Sequence, residues 1–209
     1  MIDRRTLLLG TGAAFTVAAH AGSITPAGAE AGAKLTDDGL HYEPWFQETF
    51  LDLKDDAAEA RAQGKSLVLF FEQRGCPYCG EMHKANLSKP EIADYIKQNF
   101  YALQINLYGS RKVKDFDGQE LEERKLAERW RVNFTPSLVF LPTDPAVYAN
   151  KSGGDVELWR LMGYWKPIHY LGTFVYVHSG GYSTEPNFQQ WLSEYREKLR
   201  AEGKDVSLW

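Results

Sequence analysis

The chain has 209 residues, a formal net charge of −4 and 44% hydrophobic residues. This length is sufficient for one domain with an ordinary hydrophobic core, and the composition excludes a disordered protein. Acidic and basic residues are interspersed and the balance is slightly acidic, so we expect no binding to nucleic acid.

The first 29 residues have the pattern of a signal peptide. An arginine pair at residues 4–5 precedes an apolar run over residues 7–21, and a small-x-small cleavage site follows at residues 27–29. The arginine pair resembles a twin-arginine signal, and an ordinary Sec signal is the alternative. The sequence therefore predicts an exported, periplasmic protein.

The rest of the chain divides into an N-terminal extension (residues 30–52), a main domain (53–202) and a C-terminal tail (203–209). The aromatic segment over residues 41–50 is expected to pack onto the main domain.

Hydrophobic periodicity and turn residues predict alternating helices and strands in the main domain. The first elements are a helix from Leu53, a buried strand over Ser66–Glu72 and a helix from Pro77 to about Leu87, which restarts with a capping box at Ser88–Glu91. A strand over Tyr101–Asn106, a charged loop over Tyr108–Gly118 and a helix over Gln119–Trp130, capped by Asp117, follow. The last elements are strands over Ser137–Leu141 and Val156–Met162, a helix over Pro167–His178 and an amphipathic helix from Phe188 to Leu199. This order predicts an α/β fold with a mixed central sheet flanked by helices on both faces.

The only two cysteines, Cys76 and Cys79, form a C-x-x-C motif at the turn between a strand and a helix. A disulfide that closes so short a loop would contribute little to stability, which leaves a redox pair or a metal site. At a helix N-terminus the partial positive charge and the free N–H groups lower the pKa of a cysteine thiol. The redox interpretation is therefore favoured.

A metal site is the alternative from a different class of function. Cys76, Cys79 and His83 offer three ligands, but a closed zinc site needs a fourth, and the sequence contains no second motif of this kind. We expect neither a metal nor another cofactor.

The strand, the C-x-x-C motif, the interrupted helix and the later Thr135-Pro136 before a strand resemble the thioredoxin superfamily. The run Phe71-Glu-Gln-Arg-Gly-Cys-Pro-Tyr-Cys79, together with Arg160-Leu-Met-Gly-Tyr164 and the segment around Phe188-Gln-Gln-Trp-Leu192, resembles the SoxW-like periplasmic thioredoxins more narrowly. The resemblance implies a thioredoxin fold with an N-terminal extension and a thiol-disulfide oxidoreductase activity.

The resemblance also implies roles for particular residues. Thr135-Pro136 would be a cis-proline turn beside the C-x-x-C motif, where the backbone of Thr135 pairs with a substrate strand. Pro77 and Tyr78 are assigned to substrate binding with them. Typical thioredoxins carry a buried aspartate where this chain has Phe70, so Glu72 is a candidate for proton transfer to Cys79; the alternative is a hydrogen-bonded carboxylate at the end of a strand.

Cys76 is predicted to be the attacking thiolate and Cys79 the resolving thiol. The direction of electron flow stays open between a reductant and an oxidant of disulfides. A glutathione-linked activity also stays open, because glutaredoxins carry the same Pro-Tyr pair. A redox-inert binding module is disfavoured by the intact motif.

The expected partners are periplasmic protein disulfides and a membrane thiol electron-transfer protein that recycles the pair. The narrower resemblance implies a sulfur-carrier protein as client. We expect a monomer.

Overall fold

A computed structural model describes residues 34–204 and residue 206, so the predicted signal peptide lies outside the described residues. The described chain forms eight α-helices: α1 Leu53–Ala62, α2 Pro77–Met82, α3 Pro90–Asn99, α4 Glu123–Arg129, α5 Pro145–Tyr148, α6 Pro167–His178, α7 Gly181–Thr184 and α8 Phe188–Ala201. Its six strands are β1 Ser66–Glu72, β2 Phe100–Asn106, β3 Lys112–Lys114, β4 Glu120–Glu122, β5 Ser137–Leu141 and β6 Trp159–Met162. None of the helices in this part of the chain is long and apolar enough to cross a membrane.

Four strands form one mixed sheet in the order β2-β1-β5-β6. β1 pairs with β2 in parallel and with β5 antiparallel, and β5 pairs antiparallel with β6. β1 is therefore a central strand, and it is buried over nearly its whole length, as its continuous run of apolar residues predicts.

Alternate side chains of β1 enter two separate hydrophobic cores, because successive side chains of a strand point to opposite faces. Leu69 and Phe71 lie in the core that α1 and α4 cover. Val68 and Phe70 lie in the core that α3, α6 and α8 cover. The sheet thus has helices on both faces, which confirms the predicted α/β class.

The segment after β1 carries the C-x-x-C motif on a helix that is interrupted, as predicted. α2 ends at Met82, and a π-helical turn over His83–Leu87 follows it. The predicted capping box at Ser88 is wrong: Ser88 Oγ donates to the Lys84 carbonyl, and Lys89 is the N-cap of α3. Pro90 still sets the restart, since it occupies the first turn, where its missing N–H needs no partner.

The prediction for residues 108–122 is wrong, whereas the predicted helix is confirmed over Glu123–Arg129. The predicted loop and the start of the predicted helix form the two-stranded antiparallel ribbon β3–β4, and α4 begins only at Glu123. Asp117 does not cap a helix; its Oδ1 accepts from the Gln119 N–H within the turn of the ribbon. Val113 is fully buried, so this short charged strand is held by one apolar side chain.

The described part of the N-terminal extension packs along the domain. Phe46 and Leu51 are buried in the two cores, and the Gln47 N–H donates to the Ala102 carbonyl at 2.8 Å. Phe50 departs from the prediction, because its side chain is fully exposed. At the end of the sheet where β1 leads into the cysteine motif, Arg74 donates to the Asp38 carbonyl at 2.9 Å, so the extension also reaches that end.

Candidate active site

Cys76 and Cys79 form a disulfide at the start of α2, with their Cα atoms 5.2 Å apart. Cys76 is the N-cap of the helix, Pro77 occupies the first turn, and the Cys79 N–H donates to Cys76 Sγ at 3.0 Å. Cys76 is 5% exposed and Cys79 is 0% exposed, the order expected of an attacking and a resolving cysteine. A free N–H group of the helix end is therefore aimed at Cys76 sulfur, where it would stabilise a thiolate.

The turn before β5 contacts the same sulfur. The Thr135–Pro136 peptide bond is cis, as the resemblance implies. Thr135 is buried, and its hydroxyl donates to Cys76 Sγ at 3.3 Å. Two segments 59 residues apart in sequence thus meet at one sulfur atom.

An exposed apolar rim, formed by Tyr78, Phe134 and Met162, flanks the disulfide. These side chains are 58%, 49% and 60% exposed. The Gly163 N–H donates to the Pro136 carbonyl, and a side chain at Gly163 would contact the Phe134 ring, so the proline turn and the end of β6 lie together. Large exposed apolar side chains beside a reactive group are typical of a surface that binds a partner.

Glu72, the last residue of β1, is fully buried and hydrogen-bonded. Its carboxylate is 3.0 and 3.2 Å from His83 Nε2 and accepts from Gln104 Nε2 at 3.1 Å. The other ring nitrogen of the histidine, Nδ1, is 2.8 Å from Glu43 Oε1. We call Glu43, His83 and Glu72 the acid–imidazole cluster. Proton transfer by Glu72 stays a prediction.

The charge of His83 follows from these contacts. Burial by itself lowers the pKa of His83, but the hydrogen bonds and charges of Glu43 and Glu72 outweigh burial and raise that pKa to about 9. His83 is therefore an imidazolium at neutral pH.

His83 does not complete a metal site with the cysteines, because both its ring nitrogens face carboxylates. Among the described residues, no three histidine, cysteine, aspartate or glutamate side chains are grouped so that they could hold a metal ion.

Residues 53–156 match the family model described as a thioredoxin-like domain. Together with the mixed sheet and its two helical layers, this match shows the thioredoxin-like α/β fold that was predicted.

Solved structures with similarity to this chain have low sequence identity to it. A thioredoxin-fold protein from Helicobacter pylori is 21% identical over 70% of this chain and 93% of that chain, with a TM-score of 0.48. A thioredoxin from Thermus thermophilus is 26% identical over 64% and 90%, with a TM-score of 0.47. The C-terminal domain of DsbD from Neisseria meningitidis in its oxidised form is 18% identical over 62% and 95%, with a TM-score of 0.42. No curated protein matches the chain.

Sequence reasoning missed several residues that surround the cysteines of the thioredoxin-like domain. Phe134 lies directly before the Thr-Pro pair, so its position was a usable signal. Met162 is exposed at the end of β6, where the preceding Leu161 is buried, and this alternation was also readable. Glu43 gave no signal, because it lies in the extension, 40 residues before the histidine that it contacts.

Proposed function

We propose that this chain is a thiol-disulfide oxidoreductase that works through the Cys76–Cys79 pair. One observation carries the proposal: Cys76 caps a helix, and its sulfur accepts hydrogen bonds from the Cys79 N–H and from Thr135 beside a cis proline. Both donors favour a sulfur that carries negative charge, which is the form that attacks a disulfide.

Reduction of a client proceeds in two exchange steps. The Cys76 thiolate attacks one sulfur of the client disulfide; a Cys76–client bond forms, the client bond breaks, and the leaving sulfur takes the electron pair and then a proton from solvent. Cys79 then gives its proton to solvent and attacks Cys76 Sγ. The Cys76–Cys79 disulfide forms, the second client sulfur leaves with its electron pair and is protonated, and two electrons have passed to the client.

The surface around the disulfide supports a polypeptide client. The exposed apolar rim supplies contact area, and the backbone of Thr135 would pair with an extended client strand next to Cys76. Pro77 and Tyr78 are both exposed in the motif itself and would touch the client on the other side of the sulfur. We propose that the four predicted substrate-binding residues together form one docking surface.

The direction that we propose is reduction of periplasmic protein disulfides, with a membrane thiol electron-transfer protein as the source of electrons. The resemblance to SoxW-like thioredoxins supports a sulfur-carrier protein with a reactive cysteine as one client. We propose export by the twin-arginine route, with the arginine pair at residues 4–5 as its signal and the Sec route as the alternative. Replacing both arginines by lysine should stop export by the twin-arginine route, and continued export would favour the Sec route.

Insulin reduction with dithiothreitol as electron donor tests the activity. Cys76→Ser should abolish turnover, whereas Cys79→Ser should lose turnover and accumulate a mixed disulfide that a non-reducing gel and mass spectrometry detect. The two variants are matched controls, because each removes one sulfur from the same motif. Unchanged turnover by Cys76→Ser would refute the proposal, and adducts formed by Cys76→Ser instead would reverse the two roles.

A further inference from the structure

His83 lies one helical turn after the buried cysteine. The His83 N–H donates to the Cys79 carbonyl, and side chains four residues apart lie on the same helix face with Cβ atoms about 5–6 Å apart. Both residues are buried, at 0% exposure for Cys79 and 3% for His83. Cys79 and His83 are therefore buried neighbours on one face of the same helix.

The contacts of His83 by themselves indicate its charge. An ionised carboxylate only accepts hydrogen bonds, and a neutral imidazole can donate from only one of its two nitrogens. His83 has a carboxylate at each nitrogen, at 2.8 Å and 3.0 Å, so an imidazolium satisfies both contacts with both acids ionised. Glu72 and His83 have almost no contact with water, so their charges are weakly screened.

Further groups around the ring come from three segments: the extension, β2 and α6. His41 of the extension stacks on it with ring centroids 5.1 Å apart, and Phe46 approaches it edge-on. Burial and then the charge of His83 lower the pKa of His41, so this second ring is the neutral one. Gln104 of β2 donates to both Glu72 and the His41 carbonyl.

Tyr170 of α6 lies within electrostatic reach of both carboxylates, and its buried hydroxyl has no hydrogen-bond partner among the described residues. Neither Tyr170 nor Gln104 adds a charge. The imidazolium is thus the only cation among these described neighbours. It offsets one of the two carboxylate charges, and it stands on the cysteine's own helix.

We propose that His83, held as an imidazolium by Glu43 and Glu72, is a positioning residue that stabilises the thiolate of Cys79 and thereby raises the reduction potential of the pair. This role rests on the proposed oxidoreductase function and deepens it. It also makes the N-terminal extension part of the redox site, because Glu43 belongs to that extension and supplies one of the two carboxylates that hold the ring.

The test is the redox equilibrium of the full chain against a dithiothreitol or glutathione series, measured from about pH 5 to pH 9. His83→Gln should make reduction of the disulfide about tenfold less favourable at pH 7, which is about 30 mV for a two-electron couple. His83→Lys keeps a positive charge and should remain near the wild-type value. Lys84→Gln removes an exposed positive charge one residue away and is the matched control, with less than a twofold effect.

Different outcomes separate this inference from the proposed function. If the wild-type disulfide is not reduced anywhere in the series, the oxidoreductase proposal fails. If both proteins equilibrate and the reduction potential of His83→Gln equals that of the wild type, or is less negative, the role of His83 is overturned. Circular dichroism checks that the variants fold. Should His83→Gln not fold, Glu43→Gln replaces it, with a smaller shift in the same direction; no shift would equally overturn the role.

Discussion

The stability of the domain should depend on the charge of His83. The pKa of this histidine is raised to about 9 from its ordinary 6.5. Each pH unit between these values corresponds to about 1.4 kcal/mol, so His83 contributes about 3 kcal/mol to the free energy of unfolding. Because the folded protein binds this proton more tightly, the contribution is fully present below about pH 6.5 and is lost as the pH rises through 9.

Urea unfolding of the oxidised wild type and of His83→Gln at about pH 6 and pH 10 measures this contribution. At pH 6 the variant should be less stable by about 3–5 kcal/mol, since the buried Glu72 and the partly buried Glu43 carboxylates then lose the cation between them. At pH 10 the difference should shrink by about 3 kcal/mol. Taking the difference between the two proteins cancels the other groups that titrate in this range. Stability that falls in parallel in both proteins would refute an imidazolium between the two acids.

Three further substitutions test the packing away from the cysteines. Burial raises the pKa of Asp56 to about 6, a cost of about 3 kcal/mol when the carboxyl is ionised. Asp56→Asn should therefore raise the Tm by about 6–12 °C at pH 8 and by far less at pH 4, where an equal gain would contradict this cause. Asp115 is fully buried and accepts hydrogen bonds from Trp130 Nε1, the Gly153 N–H and Arg129. Asp115→Asn should therefore lower the free energy of unfolding, measured with urea, by about 3–5 kcal/mol, and a loss under about 1 kcal/mol would be contrary evidence. Gly153→Ala would place its Cβ 2.2 Å from Trp130 Cζ2. This variant should lower the free energy of unfolding by about 1–3 kcal/mol in the same measurement, and wild-type stability would show that the indole can move.

The elements that were predicted correctly are those whose own residues determine them. β1, β5 and α6 have the predicted bounds, since a continuous apolar run favours a buried strand and a 3.6-residue period favours a helix. The ribbon β3–β4 was missed because its three-residue strands are mostly charged. Val113 is buried in the core that α1 and α4 cover, and that contact joins distant parts of the chain.

The site divides in the same way. The cysteine pair and the Thr135–Pro136 turn were found because each is a short local pattern with a physical reason. Glu72 was found as a carboxylate near the motif, but its partners were not, since they come from β2 and from the helix after the motif. Glu43, the second carboxylate at His83, comes from the extension and was missed as well. A buried ionic cluster depends on three-dimensional proximity, which no spacing along the chain encodes.

The reduction potential of the Cys76–Cys79 pair tests the central claim most directly. It is measured by equilibrating the full chain against a dithiothreitol or glutathione series and counting free thiols. We predict one reversible two-electron transition near the thioredoxin end of the scale, at about −270 mV, as a reductant of protein disulfides requires. A value near −120 mV would contradict a reductant and indicate an oxidant that introduces disulfides. A disulfide that never equilibrates with the series would contradict the redox role of the pair altogether.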